Sequence, residues 1–105
     1  MAVRQLEDEQ ITVQASAIGI TSTLLVDSNG NTLGVQHAMF QHLSGGKIKT
    51  NASRDPTAGG TEGSFERDVG DEWMVSGFDD LRDFRMIQGT GEADAVINVQ
   101  LFGYP

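Results

Sequence analysis

Asp27-Ser28-Asn29-Gly30-Asn31 sets oxygen-bearing side chains close together, in the manner of the opening of a calcium loop. A calcium loop of the EF-hand kind needs its glycine at the sixth position and a glutamate at the twelfth. Here the glycine is fourth and the twelfth residue is Ala38. A hairpin turn accounts for the whole run, since Asn29 and Gly30 both tolerate the positive φ of a type I′ turn. His37 and His42 are the only histidines. On a strand their spacing sends them to opposite faces, so they do not share a metal. They read as one surface and one edge histidine. A serine hydrolase brings a serine, a histidine and an acid together, and the nucleophile elbow Gly-x-Ser-x-Gly does not occur. Gly59-Gly60-Thr61-Glu62-Gly63 lacks the Lys-Ser/Thr ending of a phosphate-binding loop. Asp68, Asp71, Glu72, Asp79, Asp80 and Asp83 allow many carboxylate pairs and single out none. No catalytic, cofactor-binding or metal-ligating residue is assigned, and the chain reads as a protein that is not an enzyme.

Two further groups bear on binding rather than catalysis. Trp73 is the single tryptophan. It reads as a core anchor, because one large aromatic ring dominates so small an interior. A sugar-stacking platform, with Tyr104 and the polar loop Ala52 to Gly63, is the alternative. Arg82 and Arg85 flank Phe84 beside Asp79, Asp80 and Asp83. They read either as local ion pairs of small value or as an interface patch, where arginine and aromatic residues are enriched.

These residues must sit on a small scaffold. The chain has 105 residues, enough for one modest core. It has no cysteine, which excludes disulfides, thiolate metal sites and a cysteine nucleophile. Net charge is −8, with 15 acidic and 7 basic residues. Phosphate neutralisation needs a basic stripe, so a nucleic-acid partner is not expected. Neither a signal-peptide core nor a long apolar run is present, so a soluble chain with no membrane partner is expected.

The hydropathy pattern has a period of two in most segments. It is clearest at the end, where Ala95, Ile97, Val99 and Leu101 alternate with Asp94, Asn98 and Gln100. Further strands are expected over Ile11–Ala17, Thr23–Val26, Thr32–Val35, Gln36–Leu43, Lys47–Asn51, Ser64–Val69 with Phe65 inward, Glu72–Gly77 and Arg85–Ile87. Phe78, Leu81 and Phe84, three apart, predict one helical turn over 78–84 capped by Asp79. Residues 1–10 read as a frayed arm, followed by one β domain over 11–105. About eight short strands separated by glycine, asparagine and aspartate predict an all-β fold, a small antiparallel β-sandwich or barrel-like domain.

From Phe40 to Phe102 the sequence resembles small β-sandwich structural proteins of tailed-phage virions. The resemblance rests on the turn Ser44-Gly45-Gly46, the strand bearing Trp73, the segment Asp80-Leu81-Arg82-Asp83-Phe84-Arg85 and the closing strand Ala95 to Leu101. It does not extend to the turn at Asn29-Gly30 and carries over no functional residue. It implies a capsid decoration (cement) protein that binds the major capsid protein, as a homotrimer at a local symmetry axis. It also admits a small tail or head-fibre component. Such a protein works by surface complementarity without a cofactor, in the host cytoplasm before assembly and on the virion afterwards. A glycan-binding β-sandwich module is the other expectation.

Overall fold

The computed structural model describes residues 4–52, 56, 58–59 and 64–104. Its strands are β1 (Arg4–Val13), β2 (Val35–Ser44), β3 (Ile48–Asn51), β4 (Phe65–Arg67), β5 (Glu72–Ser76), β6 (Arg85–Gln88) and β7 (Ala95–Gly103). A short helix, α1 (Phe78–Asp83), joins β5 to β6, and a 3₁₀ turn covers Ser22–Leu24. Every strand pairing is antiparallel, in one sheet of order β1-β7-β2-β5 and a second of order β4-β3-β6. The fold is all-β and sandwich-like, as the alternating pattern predicts. Among the described residues no helix is long and apolar enough to cross a membrane.

The core follows from the pleat, which sends every second side chain to the same face. Ala95, Ile97, Val99 and Leu101 all lie inward on β7, none more than 1% exposed. Strand β2 adds Ala38 and Phe40, β1 adds Ile11 and Val13, and β5 adds Trp73. The second sheet contributes Ile48 and Met86. Phe40 is the hub of the aromatic part. Its ring stacks on Trp73 at 5.3 Å between centroids and meets Phe84 at 4.7 Å. Leu81, the buried residue of α1, closes the core beside them.

Several boundaries differ from the sequence pattern. Residues 4–10, expected as part of a frayed arm, form most of β1 and pair with β7 from Arg4↔Gly103 onward. The local signal is masked because Glu9, opposite inward-facing Val99, occupies a core-side position. Its carboxylate is satisfied there by Thr21, whose backbone N–H (3.0 Å) and Oγ1 (2.8 Å) both donate to it. A bulge between Gln5 and Glu7 shifts the register as well.

The arms expected around Asn29-Gly30 are not strands. Only the isolated bridge Val26↔Thr32 forms, and Ser22–Leu24 winds into the 3₁₀ turn instead. Gly30 has φ +82, but no described non-glycine residue has positive φ, so the turn is not type I′. The Asp27 side chain organises it, with Oδ1 accepting from the N–H of Asn29 (2.8 Å) and of Asn31 (3.0 Å).

Helix α1 is capped by Gly77 rather than Asp79, which sits in the first turn without a cap hydrogen bond. Phe65 pairs with Thr50, so it shares the inward face, yet it is 67% exposed. The outermost position of β4 leaves that side chain beyond the opposing sheet. The turn after β2 holds as expected. Gly45 has φ +93, and a Cβ there would collide with the Asp94 carbonyl oxygen, so only glycine fits between β2 and β7.

Candidate interaction surfaces

The outer face of the four-stranded sheet is uncovered in the described chain. Residues opposite one another on neighbouring strands share a face. One row across the sheet is therefore Asp8, Gln100, Met39 and Met74, and the next is Gln10, Asn98, Gln41 and Glu72. A shallow trough of about 430 Å³ runs along these rows. Its polar lining is amides and carboxylates, with no basic side chain. Met39 lines it and lies directly opposite Met74 on the β5 edge strand, the two being 36% and 58% exposed.

A second concavity opens where the β5 edge of one sheet faces β3 and β4 of the other. It is about 570 Å³, and its lining includes Thr50, Phe65, Arg67, Trp73, Met74 and Asp80. Trp73 on β5 is buried and stacked on Phe40. The Arg67 guanidinium reaches across from β4 to lie 4.8 Å from the Trp73 ring centroid and 5.7 Å from that of Phe65. This cation–π contact ties the two sheet edges together. Both Arg67 Nε and Trp73 Nε1 are buried without a hydrogen-bond partner. Each orphaned donor costs about 1–3 kcal/mol relative to a satisfied one.

The residues weighed for catalysis are engaged locally. Asp27 is committed to its own turn. His37 and His42 lie on opposite faces, as their spacing requires. His37 is half-buried on the outer face, its Nδ1 3.1 Å from Ser76 Oγ. His42 is no edge residue. It is 1% exposed, with Nε2 donating to the Gly46 carbonyl at 2.6 Å and Nδ1 buried without a hydrogen-bond partner. No group of three or more His, Asp or Glu side chains is placed to hold a metal among the described residues. Asp71 accepts from the Asp68 N–H at 2.8 Å.

The Arg82–Arg85 patch is a set of local bonds. Arg82 pairs with Asp83 (3.1 Å) and Asp79 (3.6 Å), while Arg85 Nη1 donates to the carbonyls of Arg82 and Phe84, both at 2.7 Å. The hydrogen bond from Arg82 holds the Asp83 carboxyl below its ordinary value of 3.8. The loop Ala52 to Gly63 lies largely outside the described residues, including Gly60–Gly63. Tyr104 is half-buried, with its N–H donating to the Gly34 carbonyl.

Arg67, Met39 and Met74 are absent from the sequence-based candidates. Phe65 and Arg67, two apart on a strand, necessarily share a face, which is the one local clue to their alignment. That Trp73 completes the stack depends on two sheets meeting, which no local spacing reveals. No family model, no curated protein and no solved structure matches the chain.

Proposed function

We propose that the chain is a non-enzymatic structural protein of tailed-phage virions, a capsid decoration protein that docks on the major capsid protein as a homotrimer. The observation that carries this reading is the bare outer face of the four-stranded sheet, where the cross-strand pair Met39 and Met74 adjoins an acidic and amide-lined trough. Exposed apolar side chains beside a polar rim are in keeping with a protein interface. The resemblance over Phe40–Phe102 supplies the virion setting and the trimer. A tail or head-fibre component is the same kind of part at another place.

The free edge of β1 adds a constraint on the partner. Glu7, Asp8 and Glu9 stand in succession on it. Charges on an edge oppose strand addition by a like chain, so this edge suits an unlike partner and copies of the chain meet elsewhere. The glycan reading loses its main platform, since the Trp73 ring is buried against Phe40 and Arg67.

Sedimentation of purified protein with heads of the phage that encodes it tests the proposal. The native chain pellets with the heads, and Met74→Glu, which alters an exposed position, stays in the supernatant while remaining folded. A native chain that associates with neither heads nor tails overturns the reading.

A further inference from the structure

We infer that the cleft between the sheet edges is a carboxylate-binding site, with Arg67 as its anion receptor and a partner's acidic polypeptide segment as its ligand. The guanidinium carbon lies over the Trp73 ring at 4.8 Å and near the Phe65 ring at 5.7 Å, which restrains it. It forms no ion pair among the described residues. Its Nε is buried and unpartnered, whereas the two Nη atoms are neither hydrogen-bonded nor among the buried unpartnered atoms. Those Nη atoms are therefore free to receive an anion. A guanidinium positioned by an aromatic ring presents a rigid fork that matches a carboxylate.

Two further observations point to a ligand. The Trp73 indole N–H is a second buried, unsatisfied donor, on a residue that is 7% exposed and borders the same cleft. The rim carries Phe65 and Met74, 67% and 58% exposed, which suit an apolar neighbour of the acid on a peptide. Arginine and aromatic residues around a desolvated pocket are the composition of binding hot spots. Asp80 also lines the cleft but lies outside ion-pair distance of Arg67, so it repels an incoming carboxylate and sets a limit on affinity. The site belongs to the isolated chain and does not rest on the virion reading.

The single tryptophan gives one indole N–H resonance, which makes the cleft directly observable. The ¹⁵N-labelled protein is titrated with N-acetylglutamate α-amide, which offers a side-chain carboxylate, and separately with N-acetylglycine, which offers a C-terminal one. Matched sodium chloride, inorganic phosphate and the neutral methyl esters serve as controls. Saturable movement of the indole resonance by either acid is expected, and the acid that binds more tightly identifies the source of the carboxylate. Arg67→Gln abolishes the movement, and Asp80→Asn strengthens binding by about tenfold. Thermal melts establish that both variants are folded, and Arg67→Lys serves as a second variant should the glutamine one fail to fold, with weakened binding expected. No saturable movement with either acid, equal movement with chloride or with inorganic phosphate, or unchanged binding in the folded Arg67 variant would overturn the assignment.

Discussion

Trp73 and Arg67 show how a residue's role depends on what the other sheet brings to it. Trp73 is buried on Phe40, in keeping with a core anchor. Trp73→Ala should therefore cost about 3–5 kcal/mol, as large aromatic truncations in cores do, and urea denaturation would measure it. A variant of native stability would return Trp73 to the surface role of a sugar platform. Asp83 offers a smaller, pH-dependent effect. Its carboxyl is depressed in the fold by the Arg82 hydrogen bond. The stabilisation is thus fully present above the unfolded value of 3.8 and is lost as pH falls through the lower folded value. Asp83→Asn should be slightly less stable than the native chain at neutral pH and equal to it in strong acid. Urea midpoints at the two pH values check this, and a difference that persists in acid would contradict it. The exposed position keeps the effect small.

At the scale of elements, legibility followed period and burial. β7 alternates cleanly, and its inward face is readable from Ala95, Ile97, Val99 and Leu101, whereas the segment of β2 is ambiguous between strand and short helix and only its pairing with β7 and β5 fixes Ala38 and Phe40 as inward. The helical turn was readable from Phe78, Leu81 and Phe84, because spacing of three needs no distant partner. β1 was not, since Glu9 breaks the inward pattern and its compensation comes from Thr21, beyond the end of the strand. The turn at Asn29-Gly30 was readable as a turn but not as a type, because the Asp27 carboxylate outweighs the preference for two positive φ values. Since β1 lines one flank of β7, removing residues 1–9 should expose an edge of the central strand and lower the thermal midpoint by several degrees, a change of roughly 1–2 kcal/mol or more. A true arm would leave the midpoint unchanged, and a thermal melt of the truncated chain distinguishes the two.

For the whole molecule, charge is distributed unevenly between the two layers. The strands of the larger sheet carry Glu7, Asp8, Glu9 and Glu72 against Arg4, whereas the smaller sheet and α1 carry Lys49, Arg67, Arg82 and Arg85 against Glu66, Asp79, Asp80 and Asp83, and so balance. One layer therefore presents an acidic, amide-rich face, and the junction with the other presents a stacked cation. Composition made the acidic excess plain but not this separation, because strand order places chain-distant β1 and β5 at the two borders of one sheet. The molecule extends 43 Å along its longest axis and 24 × 22 Å across, a length in keeping with ten-residue strands of about 33 Å. A slab of this kind offers a face, an edge and a cleft to protein neighbours, which is what a particle-binding role requires. The most direct test is the mass of protein retained per head at saturation, set beside the solution mass of the free protein. Saturable binding in whole multiples of a trimer, with the free protein itself trimeric, is the predicted result. Heads that retain none of the protein at any concentration would contradict it.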